Sequence, residues 1–168
     1  GPWSPLVSPD EYRANIRRIR GFIVDGDTYQ VNYTFPMQAD FRGYAFAWFK
    51  QLCAAQRADY SAFIAAGRHT VLSASPELFF RLDGDLLEAR PMKGTRPRGR
   101  WFQEDRRMAE ALAASEKERA ENIMIVDLLR NDMGRISRPG SVRVRDLYRV
   151  EQYPTVWQMT SAIFSRTD

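Results

Sequence analysis

Four stretches of the chain carry side chains able to do chemistry. In Ser75-Pro76-Glu77 an acid enters a segment that continues Leu78-Phe79-Phe80. Taken alone, Glu77 reads as a strand-edge carboxylate facing water. In Arg90-Pro91-Met92-Lys93-Gly94-Thr95 a lysine stands where a strand runs into a glycine loop. One reading is a solvated loop charge. The other is that Gly94 lets the backbone approach a ligand closely, with Lys93 as an amine nucleophile or an anion contact.

The third stretch runs from Lys117 to Asp132 and reads as a long helix. Glu118, in its acidic first turn, suits the helix dipole and needs no further role. Glu121 sits one turn in, just before Ile123-Met124-Ile125-Val126, so its carboxylate should be paired, protonated or on a metal. Mg²⁺ usually takes one or two protein carboxylates plus water and substrate oxygens. Asp127 faces the same question and is expected in a structural ion pair or hydrogen bond. The fourth stretch, Glu151 to Ser161, is polar and aromatic for a short element and says little by itself.

These residues need elements to position them. Ser8-Pro9-Asp10-Glu11 is a capping box with Pro at the first helical position, and Gly26 closes the helix it opens. Tyr29 to Asp40 alternates as a half-buried strand, interrupted at Pro36. Ala45 to Gln56 reads as a helix. Ser61 to Ala66, Thr70 to Ala74 and Leu78 to Leu82 read as strands, and Asp83-Gly84-Asp85 turns the last into a return strand from Leu86 to Met92. Lys93 to Arg100 is predicted to be a basic loop, because two Gly and one Pro oppose regular structure. Glu104 to Ala114 is helical. Ser115-Glu116-Lys117-Glu118 caps the long helix, which Gly134 stops. Ser141 to Val150 is a strand, and Trp157 to Phe164 suits strand or helix equally. Blocks of helices and hairpin-linked strands give an α+β fold with largely antiparallel sheet.

Bulk properties bound the function. At 168 residues the chain is the size of one domain with no dividing linker. Hydrophobic residues at 44% and charged residues at 27% are globular values and exclude a disordered tail. The net charge of +4 suits a small anionic substrate as well as nucleic acid. Cys53 is the single cysteine, which excludes an internal disulfide and suits a reducing cytoplasm. No apolar run approaches a membrane span. The start at Gly1-Pro2-Trp3 lacks a Met, as a tag-cleavage scar or a start within a longer protein would give.

Together the stretches resemble the chorismate-utilising family, which includes anthranilate, aminodeoxychorismate, isochorismate and salicylate synthases. The similarity is carried, in the family's order, by Gly26 to Asn32, Ser75 to Glu77, Pro91 to Thr95, Glu118 to Asp132 and Val150 to Ser161. Lys93 before Gly94-Thr95, Arg90-Pro91-Met92 and Val150 to Pro154 look most like the aminodeoxychorismate branch; anthranilate synthases typically carry Ala at the lysine. The resemblance implies two antiparallel sheets packed together with helices outside. It implies Lys93 as nucleophile, Glu77 as general acid, Gly94 and Thr95 at the substrate, and Glu121 as a Mg²⁺ ligand. An acid in that role has to hold its proton near neutral pH, which favours an apolar pocket, and Leu78, Phe79 and Phe80 are consistent with one nearby. It implies chorismate as substrate and ammonia from a glutamine amidotransferase subunit, with p-aminobenzoate and folate downstream. A lysine of ordinary pKa, about 10.4, is only about 0.04% neutral at pH 7, so nucleophilic use demands roughly 4–5 kcal/mol from burial or a neighbouring cation.

The family domain normally extends further at both ends. Its later segment carries a His-Pro-Thr-Pro-like stretch, a Gly-rich stretch, a substrate-gripping Arg and a second Mg²⁺ glutamate, none of which is in this sequence. The chain is therefore expected to be part of the chorismate-binding domain, either an excised piece whose exposed sheet edges pair with another copy or another chain, or a truncated gene product. The alternatives are an anthranilate or isochorismate-type synthase, a non-catalytic assembly fragment, and a module using Lys93, Arg96, Arg98 and Arg100 against nucleic-acid phosphates. No nucleic-acid motif accompanies those four.

Overall fold

The structure is a computed structural model that describes residues 2–167; Gly1 of the tag-scar reading and Asp168 lie outside them. The chain divides into two compact units, Gly1–Tyr44 and Ala45–Asp168.

The first unit holds β1 (Ser4–Pro5), α1 (Pro9–Val24) and β2 (Met37–Gln38), with β1 and β2 antiparallel. The Ser8 hydroxyl accepts from the Glu11 N–H at 3.2 Å, as a helix N-cap does. At the other end Asp27 N–H reaches the Phe22 carbonyl and Gly26 N–H that of Ile23, around Gly26 at φ +80°. That is a Schellman stop, and it needs the left-handed conformation glycine adopts without cost. The strand expected over residues 29–40 is only Met37–Gln38. Among the described residues its alternating positions have no ladder to join, and Tyr33 and Phe35 pack on Tyr12 instead.

The second unit opens with α2 (Ala45–Gln56), which covers the hairpin of β3 (Tyr60–Ala66) and β4 (His69–Ser75); Phe63 meets Phe46 and Phe49. A larger antiparallel sheet follows, from β5 (Leu78–Asp83), β6 (Leu86–Arg90), β7 (Met92–Pro97), β8 (Arg143–Gln152) and β9 (Val156–Arg166). β9 is its axis, with β8 along one side and β6 then β7 in tandem along the other. β6 and β7 are one run broken at Pro91, which has no N–H to give; its carbonyl still accepts from Ser161 N–H at 3.2 Å. The predicted loop at 93–100 is thus a strand as far as Pro97, because β9 supplies a ladder that tolerates Gly94 in a bulge. Trp157 to Phe164 resolves as strand.

Two helices, α3 (Phe102–Ala113) and α4 (Glu116–Gly134), come between β7 and β8. Asn122, Val126 and Met133 form the buried side of α4, and Leu87, Ala89 and Ile163 face them from the sheet. Their spacing is the apolar stripe of a core-facing helix, except that one member is an amide.

Candidate active site

Lys93 and Gly94 occupy a β-bulge. Met92 pairs with Thr160 and Thr95 with Gln158, so three steps on β7 oppose two on β9. The extra residue is accommodated by Gly94 at φ +98°, a backbone conformation that side chains oppose. A Cβ added there would stand 3.1 Å from the Glu118 Cβ and 3.3 Å from both Glu118 Oε2 and Leu112 Cδ1. Gly94 therefore admits the first turn of α4, where the sequence suggested close approach of a ligand. Lys93, beside it, is half-buried and forms no ion pair among the described residues. Thr95 donates its hydroxyl hydrogen to Gln158 Oε1.

Glu77 reaches the same place from the turn between β4 and β5. The β5–β6 ladder begins at Leu78, opposite Arg90. Beyond that rung Glu77 Oε1 accepts from Met92 N–H at 3.0 Å. The carboxylate is thereby tied to the residue that precedes Lys93. Ser75 Oγ shapes the turn, accepting from Glu77 N–H at 3.2 Å. The apolar pocket expected around Glu77 has Leu78 buried, but Phe79 and Phe80 lie exposed and Glu77 itself is exposed.

Glu121, one turn after Glu118 on α4, has a side chain 33% exposed and stands 3.7 Å from Lys117 Nζ, itself 78% exposed. A contact of that kind holds a carboxylate only loosely. The described residues contain no cluster of three or more metal-ligating side chains. Asp127 takes the ion pair expected of it, 2.9 Å from Arg130 Nη1, on the exposed side of the helix.

Three groups around the site were missed in the sequence. Arg90 pairs with Glu151 at 2.9 Å, and Arg149 Nε lies 3.4 Å from the same carboxylate. Beside them burial, and then the Glu151 charge, push the Tyr153 hydroxyl pKa up. Asp105 gathers Arg98 in a two-pronged bond at 2.7 and 2.6 Å, Gly99 N–H at 2.8 Å and Trp157 Nε1–H at 2.9 Å. These bonds, Arg98 first, hold its carboxyl well below the usual carboxylate range although burial opposes them. Asn122 bonds to Ser161 and Met159. The Arg90–Glu151, Trp157–Asp105 and Asn122–Ser161 contacts join distant segments, and no local spacing in the sequence announces them.

The family model described as chorismate binding enzyme matches residues 1–168. The chain belongs to the chorismate binding enzyme family. Aminodeoxychorismate synthase component 1 of Klebsiella aerogenes is 44% identical over 98% of this chain and 36% of its own length. The component 1 of Escherichia coli K12 is 42% identical over 96% of this chain and 36% of its own length. The chain thus spans about a third of the length of these curated relatives. Crystallographic anthranilate synthase component I from Streptococcus pneumoniae TIGR4 superposes with a TM-score of 0.87 at 29% identity, over 99% of this chain and 36% of that one. The α+β fold expected of a chorismate-binding enzyme is therefore the fold observed. In this family setting Glu77, Lys93 and the Gly94 bulge are adjacent, Thr95 follows on the same strand, and Glu121 lies one turn beyond the glutamate packed on Gly94.

Proposed function

We propose that this chain is the part of an aminodeoxychorismate synthase that carries its amine nucleophile, and that the complete protein aminates chorismate to 4-amino-4-deoxychorismate. The observation that carries the reading is Lys93, half-buried and without an ion pair among the described residues, held in a bulge beside a carboxylate bonded to Met92. The aminodeoxychorismate synthases at 42–44% identity support the choice of reaction.

The Lys93 nitrogen, as a neutral amine, bonds to C2 of chorismate while the ring double bonds shift and the C4–oxygen bond breaks. Glu77 gives its proton to the departing hydroxyl, which leaves as water. Ammonia then bonds at C4, the double bonds shift back, and the C2–nitrogen bond breaks to return the lysine. The enolpyruvyl group is untouched, so chorismate plus ammonia become aminodeoxychorismate plus water. A glutamine amidotransferase subunit supplies the ammonia, and the product serves p-aminobenzoate and folate synthesis in a reducing cytoplasm.

Mg²⁺ suits the donors present: Glu121 offers hard oxygens, is partly exposed, and is held by no strong partner among the described residues. When bound, the ion would neutralise the ring carboxylate of the substrate. The test is turnover of chorismate with ammonium and Mg²⁺ by the complete gene product, with products separated by chromatography. Aminodeoxychorismate without pyruvate is expected; anthranilate with stoichiometric pyruvate would overturn the reading.

A further inference from the structure

We infer that Asn122 is a positioning residue, which locks helix α4 to the sheet so that Glu121 keeps a fixed place relative to Lys93. The inference rests on the amination reading for the roles of those two residues. Asn122 is fully buried on the face of α4 that otherwise presents Val126 and Met133 to the core. An apolar side chain there would pack without hydrogen bonds, but apolar contact is non-directional and lets a helix slide or rotate. The amide does not. Its Oδ1 accepts from Ser161 Oγ–H at 2.6 Å, and its Nδ2 donates to the Met159 carbonyl at 3.5 Å.

Ser161 makes this more than a local contact. Its Oγ also accepts from Tyr148 N–H at 3.2 Å, at the point where the β8–β9 ladder is interrupted between Arg145 and Arg149. Its own N–H donates to the Pro91 carbonyl at 3.2 Å, which bridges the break between β6 and β7. One serine thus joins Asn122, next to Glu121 in sequence, to Pro91, two residues before Lys93. A slip of one residue along α4 would carry Glu121 about 1.5 Å along the axis and about 100° around it. Displacements near 1 Å at a reacting centre are known to cost about 10²-fold in rate. A buried network of this kind rigidifies the elements that it joins.

The test uses the complete gene product with Asn122→Ala, Ser161→Ala and the double variant, each assayed well below its melting temperature. Two readouts are taken: kcat and KM for chorismate, and hydrogen exchange by mass spectrometry. The expected result for Asn122→Ala is a fall in kcat of about 10- to 100-fold with KM changed by less than about threefold. Ser161→Ala, the milder change, should lose kcat in the same direction, and the double variant should be no worse than Asn122→Ala alone. Exchange should quicken in segments 91–97 and 118–125 and stay unchanged in the hairpin 80–88. A kcat within about twofold of wild type in both single variants would overturn the inference, and so would a uniform rise in exchange across all three segments. A wild-type protein silent towards chorismate would sink the amination reading instead, and the exchange pattern would then decide the coupling alone.

Discussion

At the scale of single residues, the bulge at Lys93 and Gly94 is where backbone geometry and chemistry meet. Gly94 is constrained twice, by φ +98° and by Glu118 and Leu112 within 3.1–3.3 Å of any added Cβ. Gly94→Ala is therefore expected to cost about 1–3 kcal/mol, seen as a melting temperature lowered by several degrees. In the complete protein it should also cut amination, because β7 or α4 must shift to admit the methyl group. An unchanged melting temperature and rate would mean that the bulge does not set the place of Lys93. The Glu77–Met92 contact has a simple origin, since a backbone N–H beyond the last rung of a ladder takes the nearest acceptor. From the sequence, Glu77 and Lys93 stand out by type and neighbours. Their adjacency depends on where the β5–β6 ladder begins, which local patterning leaves open.

At the scale of elements, Asp105 ties the start of α3 to the end of β7 and to Trp157 on β9. Its folded-state pKa is depressed, chiefly by the Arg98 bonds, so its stabilisation is present above the ordinary value of 3.8 and is lost as pH falls below it. Asp105→Asn should therefore melt below wild type at neutral pH, and the gap should close as the pH drops below about 4. A gap that is constant down to acid pH would contradict that assignment. The same bonds explain why the basic run misleads: Arg98 is spent on Asp105, and Arg100 lies 3.5 Å from Glu104, so neither is a free phosphate contact. Helices were readable because their caps are local, as Ser8 and Ser115 both show by accepting from the N–H three residues on. The hairpin around Gly84 was readable for the same reason. β7 was not, since Gly94 and Pro97 argue locally against a strand and only pairing with β9 overrides them. Residues 29–36 err in the opposite direction, alternating correctly without a partner strand among the described residues.

At the scale of the whole molecule, burial is concentrated where α4 crosses the sheet. Val126 and Ile163 are fully buried there, whereas Trp101, Phe102 and Phe79 remain 54%, 71% and 78% exposed. The candidate site residues Glu77, Lys93 and Glu121 lie outside that buried core, Glu77 exposed and the other two half-buried. No helix among the described residues is long and apolar enough to cross a membrane. The net charge of +4 gives the chain a mild attraction for an anionic substrate. Bonding of the Lys93 amine to the substrate is tested most directly by intact-protein mass spectrometry of the complete gene product with chorismate and Mg²⁺ in the absence of ammonia, followed by digestion to locate any adduct. The expected result is a mass gain equal to chorismate less one water, confined to the peptide carrying Lys93 and absent from Lys93→Ala. Full amination by Lys93→Ala, or an adduct on another residue, would contradict it.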